Sequence, residues 1–435
     1  MRNLRTLMAL FFCMIAAQGA WAQPTPAPEQ SESILIAGGT AHIGDGSVIE
    51  NAAIGFDKGV ITFVGSADQA DKEKYKQVID ATGKHIYPGF IAPNSTLGLQ
   101  EVGAVRATRD QYEIGTFRPN VRSVIAFNTE SEITPTVRTN GVLMGQITPR
   151  GGVVSGTSCV VQFDAWNWED AALVMADGIH MSWPSMHHKH RKDGKSELKR
   201  RKTVDQKLQE IQHFFAEAAA YSKGSGDLQD LKFEAMKGLF DGSLGLYVHG
   251  NDIKQINEAV QFKKQFNIER MTIVGGYDSH LCADLLRDNG ISVMIRRVHE
   301  LPRFEGDDVD LPFKLPKLLT DEGVLFCLEN SGDMEQMGTR NLPFYAGTAV
   351  AYGLTYEQAV QSITLNTAKI LGVDDRVGSL ETGKDATIII SDGDALDMMG
   401  NEISHAYIRG RSIELDNRQF QLYRKYKQKY DAQKD

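Results

Sequence analysis

Cysteine is scarce in this chain, which contains only 4 among its 435 residues. Cys13 lies in an N-terminal segment that we expect to be removed. The other three, Cys159, Cys282 and Cys327, stand in separate apolar stretches. Isolated thiols in apolar surroundings are typical of small buried side chains, and an odd number cannot all pair. We therefore predict no structural disulfide and no cysteine-based metal site.

Apolar runs long enough to cross a bilayer are also missing. The run Leu7–Ala17 follows Arg2 and Arg5 and precedes the small residues Ala20 and Ala22. It is shorter than the ~20 residues that a membrane span needs, so residues 1–22 are interpreted as a secretory signal rather than an anchor. This pattern predicts export to the periplasm or the medium.

Positive charge is in the minority, because 47 Lys and Arg residues face 56 Asp and Glu residues, which gives a net charge of −9. An acidic chain has no general attraction to nucleic acid or to anionic membranes. A hydrophobic content of 42% with only 13 prolines is typical of globular proteins and not of disordered or collagen-like ones. We expect a small-molecule substrate or ligand, with no nucleic-acid and no membrane partner.

The order of sequence patterns predicts the architecture. After a Pro-rich linker at 23–32, short alternating runs at 33–86 predict a small β-domain, and similar runs at 376–415 return to complete it. Residues 87–375 alternate strand patterns, such as GLYVHG at 245–250, with helix patterns, which is typical of a closed TIM-type (β/α)8 barrel. Residues 416–435 predict a helical tail. The predicted fold is an α/β barrel inserted in a composite β-sandwich built by both chain ends.

Strand ends are the places to look for chemistry, because a barrel binds its ligands at the carboxyl ends of its strands. The first barrel strand runs into residues 92–96, Ala-Pro-Asn-Ser-Thr, and offers no histidine there. A catalytic zinc needs three His or carboxylate ligands and one open position. Later strand ends offer Asp164, His249, Asn251, Asp278, His280, His299, Glu329 and Asn330.

Two motifs, together with the split β-domain, make the chain similar to the amidohydrolase superfamily, near its imidazolonepropionase-related group. They are HIYPGFIAPNSTLGL at 85–99 and Thr-Leu-Asn-Thr-Ala-Lys at 364–369, the latter followed by Gly-Ser-Leu-Glu-x-Gly-Lys-Asp-Ala at 378–386. The resemblance covers residues 34–415. It implies the barrel fold and hydrolysis of C–N bonds other than peptide bonds, in a cyclic amide or an N-acyl or dipeptide-like substrate.

The resemblance also implies a metal site, from which this sequence departs. The family's first strand ends in Pro-Gly-x-Ile-Asp-x-His-x-His, whereas here Ala92 replaces the Asp, and Asn94 and Thr96 replace the two histidines. His249 matches the fifth-strand metal ligand. The sixth- and eighth-strand places fall on Gly275 or Gly276, and on Glu329, Asn330 or a displaced Asp333.

A single remaining histidine holds a metal poorly, because each lost ligand or supporting partner weakens binding roughly 10–100-fold. We therefore predict a degenerate site without a tightly bound metal and no other cofactor, with weak residual zinc binding left open. A side chain would then have to activate water, and the predicted catalytic residues are His249, Glu101 and Asp110.

The long insertion after the first strand is rich in arginine. Arginine forks over a barrel mouth suit carboxylate or peptide-like ligands, although salt bridges that order a long loop explain them equally well. The predicted substrate-binding residues are Arg106, Arg118, Arg138, Asn94, Asn330 and His280.

Two questions stay open on the sequence alone. The basic segment 187–202, with His187, His188 and His190, suits either a polyanion or metal site or, more simply, a solvated excursion, which we favour. The chain as a whole is either an exported hydrolase or a catalytically inactive pseudo-enzyme. The second alternative is a ligand-binding protein or the partner of an active paralogue in a heteromer, and a homo-oligomer is also compatible with the sequence.

Overall fold

The computed structural model describes residues 25–185, 187–192, 195–200, 203–224 and 229–433. The predicted signal segment lies outside the described residues, and so do the side chains of His187, His188 and His190, on which the proposed polyanion or metal contacts depend.

Strands make up both layers of the fold. In chain order they are β1 (Ile34–His42), β2 (Val48–Asp57), β3 (Val60–Ser66), β4 (Gln77–Asp80), β5 (His85–Pro88), β6 (Phe90–Ser95), β7 (Val142–Ile147), β8 (Val154–Gln162), β9 (Ala172–Ser182), β10 (His187–Lys192), β11 (Lys195–Arg200), β12 (Gly245–Gly250), β13 (Met271–Gly275), β14 (Ser292–Ile295), β15 (Phe326–Leu328), β16 (Ile388–Ser391), β17 (Ile403–Ile408) and β18 (Arg411–Ser412).

Helices connect the later strands and end the chain. They are α1 (Thr134–Arg138), α2 (Trp168–Ala171), α3 (Val204–Lys223), α4 (Leu231–Phe240), α5 (Ile253–Phe266), α6 (Ala283–Asp288), α7 (Leu311–Asp321), α8 (Glu335–Gly338), α9 (Leu342–Ala351), α10 (Tyr356–Ser362), α11 (Leu365–Leu371) and α12 (Arg418–Asp431). Among the described residues, no helix combines the length and apolar character that crossing a membrane requires.

Both chain ends contribute to one sheet outside the barrel. Its strand order is β18-β17-β16-β5-β1-β2-β3, and β4 pairs in parallel with β1. The two ends meet where β16 pairs antiparallel with β5. A separate apolar core that includes Ile36, Ile54, Ile86 and Ile388 packs this sheet. The prediction that both chain ends complete one β-domain is confirmed.

The second large sheet forms the barrel. Its order is β15-β14-β13-β12-β9-β8-β7-β6, and β15 also contacts β6, so the ring is nearly closed. The predicted TIM-type barrel is confirmed. Gly89 lies between β5 and β6. The chain packs too closely here for a side chain, because a Cβ at this position would lie 2.8 Å from Cγ2 of Thr387. The stretch 85–93, whose sequence pattern predicts a single strand, therefore contributes to both sheets.

One barrel strand departs from the predicted parallel arrangement. β8 runs antiparallel to both of its neighbours, β7 and β9. The sequence pattern does not predict β9, because Asp177 and Gly178 interrupt its apolar run. Since β8 is reversed, Asp164 after its carboxyl end lies at the opposite end of the barrel from His249. The expectation that Asp164 belongs to the strand ends that carry chemistry is therefore wrong.

Helix α5 shows how the sequence positions the end of β12. A capping box formed by Asp252 and Gln255 starts the helix directly after the strand. Ile256, Ala259 and Val260 recur at helical spacing and are fully buried in the main core. Burying a side chain of the size of Ile or Val stabilises the fold by about 1.5–3 kcal/mol. The helix therefore fixes the strand end that carries His249.

Candidate active site at the mouth of the barrel

A polar cavity of about 470 Å³ opens at the carboxyl ends of the parallel strands. Its wall includes side chains from the ends of β6, β7 and β12 and from the loop after β15. This is the end of a barrel at which ligands bind. The residues that matter for its chemistry are Asn94, Gln111, Arg150, His249, Ser331 and Glu335.

Asn94 lies at a bulge in β6, where the pairing with β7 shifts register between Ala92 and Ser95. Its φ is +50°, a left-handed conformation that asparagine adopts more readily than most residues. Its side chain is buried, and its main-chain N–H donates to Oε1 of Gln146 at 3.0 Å. The bulge thus turns an amide side chain into the cavity wall.

Gln146 links Asn94 to a buried carboxyl beneath it. The Nε2 of Gln146 donates to Oδ2 of Asp177 at 2.6 Å, and the Tyr247 hydroxyl donates to the same oxygen at 2.8 Å. Burial raises the pKa of Asp177, whereas its hydrogen bonds act in the opposite direction. Three strands, β7, β9 and β12, are joined by this network under the cavity.

Arg150, three residues beyond β7, brings a permanent positive charge into the cavity. Its Nη1 donates to Oδ1 of Asn94 at 2.9 Å, and its Nη2 donates to the main-chain oxygen of Asn94 at 2.7 Å. On the other side, its Nε donates to Oε1 of Glu335 at 3.2 Å. Because a guanidinium only donates, these bonds fix Oδ1 of Asn94 as the acceptor. The remaining donor of Asn94, Nδ2, is buried and has no hydrogen-bond partner among the described residues.

His249 forms a hydrogen-bonded chain with two residues behind it. Its Nε2 lies 2.9 Å from Nδ1 of His180, and Nε2 of His180 lies 3.0 Å from the Ser158 hydroxyl, which donates to the Gly178 carbonyl at 3.1 Å. With the Ser158 proton assigned to that carbonyl, His180 donates through Nε2 and accepts through Nδ1. In this assignment His249 carries its proton on Nε2, and its Nδ1 is an acceptor.

Both imidazoles are neutral at neutral pH. Burial lowers the pKa of His249 to about 3, and the positive charge of Arg150 acts in the same direction. Burial, with smaller contributions from His249 and Arg150, holds the pKa of His180 well below its usual range. His249 is therefore a hydrogen-bond acceptor that does not charge under physiological conditions.

Burial has the opposite effect on the pKa of Glu329, which follows the end of β15. The residue is fully buried, and Ser331 donates to its two carboxyl oxygens through Oγ, at 2.7 Å, and through its main-chain N–H. Burial raises the pKa of Glu329 to about 7, while the Ser331 bonds and Arg150 moderate the rise. This carboxyl lies directly behind Ser331 of the cavity wall and is present in both protonation states near neutral pH.

Four of the residues predicted from the sequence lie at or behind the cavity. Asn94 and His249 line it. Asn330 supports the loop after β15, because its Nδ2 donates to the Glu335 carbonyl at 2.9 Å. Arg118 donates to the main-chain oxygens of Glu113 and of Arg150, the latter at 3.0 Å. Arg118 therefore holds the segment that carries Arg150.

The other predicted residues do not line the cavity. Arg106 and Asp110 are exposed on the insertion, and Glu101 is partly buried beside Ser131, where burial raises its pKa. These positions depend on how a long loop folds back on itself, which no local pattern reveals. The remaining two are His280, in a short 3-10 turn, and Arg138, which is bound to Asp164 at the other end of the barrel.

The metal ligands that the resemblance implies are not assembled. Among the described residues, no group of three or more His, Cys, Asp or Glu side chains is arranged to hold a metal ion. Both oxygens of Asn94 accept from Arg150, and Oγ1 of Thr96 is buried without a hydrogen-bond partner. The residues present do not fit a catalytic divalent metal, and whether any metal binds stays a prediction.

Most of the site residues were not predicted from the sequence, among them His180, Arg150 and Glu335. His180 was missed together with its strand β9. Arg150 stands among several other arginines near the insertion, and only its contact with Asn94, 56 residues away, distinguishes it. Glu335 belongs to a helix of four residues whose place over the cavity depends on the loop before it.

Comparison with known proteins agrees with the fold. The sequence profile of the Amidohydrolase family matches residues 155–421, which is more than half of the chain. An imidazolonepropionase of Bacillus thuringiensis (strain Al Hakam) is 50% identical over 50 residues, only 12% of each chain. An amidohydrolase structure from Thermotoga maritima MSB8 superimposes with a TM-score of 0.73 at 23% identity, over 88% of this chain and 99% of that one. A putative prolidase structure from Bifidobacterium longum gives a TM-score of 0.54 at 16% identity, over 88% and 95%. The profile match, over most of the barrel and the returning strands of the β-domain, shows that this chain belongs to the amidohydrolase family.

Proposed function

We propose that the protein is an exported hydrolase of C–N bonds other than peptide bonds, acting on a cyclic amide or an N-acyl or dipeptide-like compound. The observation that carries this proposal is the pair of unused hydrogen-bonding groups in the cavity. Nδ2 of Asn94 is a buried donor without a partner among the described residues. With Nε2 of His249 bound to His180, Nδ1 is the ring nitrogen of His249 left to accept from a ligand. A buried donor left unpaired costs about 1–3 kcal/mol, which a ligand oxygen would recover.

An amide substrate matches this pair. Its carbonyl oxygen accepts from Asn94 and its N–H donates to His249, while the charge of Arg150 nearby favours the oxyanion that forms when water attacks. The Glu329 carboxyl, with a pKa of about 7, is suited to take a proton from water and to return it to the leaving nitrogen through the Ser331 hydroxyl. Glu101 and Asp110 have no part in this arrangement.

A second function also has specific support. Every donor nitrogen of Arg150 already contacts a protein oxygen, and His249 takes up a proton only in strong acid. Both features favour ligand binding over turnover. The second candidate is therefore a ligand-binding pseudo-enzyme or the partner of an active paralogue.

A substrate screen with one matched variant tests the proposal. Cyclic amides and N-acyl dipeptides are offered to the wild type, to Asn94→Asp and to Arg106→Ala. Asn94→Asp keeps the acceptor for Arg150 but removes the free donor, so we expect kcat/KM to fall at least about 10-fold. Arg106→Ala, exposed on the insertion, should match the wild type. Turnover that survives Asn94→Asp unchanged contradicts the proposal, and binding without turnover supports the second candidate.

A further inference from the structure

We infer that the guanidinium of Arg150 is a built-in cation that takes the place of a metal ion among the strand ends at the barrel mouth. This inference uses the same cavity as the proposed function but does not depend on turnover, since its test measures ion binding without substrate.

The oxygen atoms that a metal ion would need at this place already accept hydrogen bonds from Arg150. A divalent cation at the end of β6 would draw on Oδ1 or the main-chain oxygen of Asn94, and both oxygens accept from Arg150, at 2.9 and 2.7 Å. The nearest acid on the other side, Glu335, is an ion pair with the same guanidinium at 3.1 Å. The ligands that a cation needs are thus occupied by a cation that cannot dissociate.

The guanidinium lies in a cavity onto which several strands open. Arg150 lines this cavity together with Asn94 of β6, His249 of β12 and Ser331 of the loop after β15. Its surroundings therefore include the ends of three other strands of the ring. Its side chain is only 16% exposed, so solvent screens this charge weakly.

Hydrogen bonds from neighbouring segments also hold the main chain that carries Arg150. Arg118 donates to the carbonyls of Arg150 and Gly151, and the main-chain N–H of Arg150 donates to the Gln111 carbonyl at 2.7 Å. A guanidinium held at both its main chain and its fork is positioned in advance, as a bound ion would be. A second positive charge at this place would meet repulsion at short range.

Zinc binding to a set of variants tests the inference. Calorimetric titration with zinc chloride compares the wild type, the double variant Asn94→His/Thr96→His, and that double variant with Arg150→Met added. Histidine at position 94 tolerates the left-handed backbone about as asparagine does. We expect no stoichiometric binding by the wild type. The triple variant should bind one zinc per chain, at least about 100-fold more tightly than the double variant, because the repelling charge is lost and the oxygen of Glu335 that Arg150 held is freed.

A charge control separates the effect of charge from that of volume. With Arg150→Lys in place of Arg150→Met, a positive charge remains and zinc should again bind no better than to the double variant. If Arg150→Met prevents folding, as judged by circular dichroism, Arg150→Gln replaces it, because a glutamine amide is uncharged and keeps a donor for the main-chain oxygen of residue 94. Equal zinc affinity of the double and triple variants, no zinc binding by a folded triple variant, or one tightly bound zinc per wild-type chain overturns the inference.

Discussion

At the scale of single residues, burial separates the two titratable groups of the site in opposite directions. It lowers the pKa of His249 and raises that of Glu329, because each neutral form is the one that a poorly solvated position favours. The positive charge of Arg150 lowers the pKa of both groups. The cavity therefore combines a fixed cation, a neutral imidazole and a carboxyl that titrates near neutrality. Of the two titratable groups, Glu329 is the one that exchanges a proton near neutral pH.

The pH dependence of stability should reveal this carboxyl. Its pKa is about 7 in the folded state, against 4.5 ordinarily, so the folded state binds the proton more tightly. The stability it contributes is full below about pH 4.5 and is lost as the pH rises through about 7. Between about pH 5 and about pH 8, the wild type should lose about 2–3 kcal/mol more than Glu329→Gln, which cannot ionise. Urea denaturation across this range measures the difference. The exposed control Glu130→Gln should follow the wild type, and parallel profiles for Glu329→Gln and the wild type would contradict the prediction.

At the scale of elements, local patterns predicted most strands but not their direction. The run GLYVHG corresponds to β12 as it stands, because its apolar residues are continuous and β-branched or aromatic residues favour strands. β9 was not predicted because a buried acid and a glycine interrupt its apolar pattern. The reversed direction of β8 was not predicted because the sequence of one strand does not determine how it pairs with its neighbours. His180 was lost with β9, whereas His249 was found with β12.

The segment that carries Arg150 gives a prediction at this scale. Arg118, only 3% exposed, donates to the carbonyls of Glu113 in the insertion and of Arg150 after β7, so Arg118→Met leaves these acceptors without their donor. We expect a loss of about 2–4 kcal/mol in the free energy of unfolding, measured in urea. Arg106→Met on the exposed part of the same insertion should change it by less than about 0.5 kcal/mol. Equal effects of the two substitutions would show that Arg118 does not hold this segment.

At the scale of the whole molecule, the reversed strand β8 connects the barrel to the chain ends. Asp164 accepts from Arg138 of α1 and from Arg411 of β18, at 2.8 Å each, and from the main-chain N–H of Ala27 at 3.0 Å. All three side chains are nearly buried. Asp164, which the sequence offered only as a polar residue at a strand end, is therefore the point where the barrel, the helix α1 and the β-domain meet.

Removal of this carboxylate should be costly. Asp164→Asn leaves two buried guanidinium groups without their counter-charge, and we expect a loss of about 3–5 kcal/mol in unfolding free energy. The matched control is Asp321→Asn, which breaks the exposed pair with Lys317 and should cost less than about 1 kcal/mol. Chemical denaturation of both variants measures this. If Asp164→Asn lowers the unfolding free energy no more than Asp321→Asn does, Asp164 does not hold the barrel, α1 and the β-domain together.

The sequence predicted the barrel, the composite β-domain and two residues of the cavity, because periodicity and strand ends are local properties. It did not predict the pairing of Arg150 with Asn94, because the two residues meet only after the insertion folds against the loop beyond β7. The residues at positions 94 and 96 predict a degenerate metal site, whereas the contact between Arg150 and Asn94, on which the inferred built-in cation rests, is visible only in three dimensions.

The central claim is that a guanidinium, and not a metal, supplies the positive charge at the barrel mouth. Anomalous diffraction at the zinc edge, from wild-type crystals grown with zinc in the medium, tests it most directly. The account predicts no anomalous peak in the cavity and Arg150 within hydrogen-bond distance of both Asn94 oxygens. A fully occupied peak bound to His249, with Arg150 turned away, would contradict it.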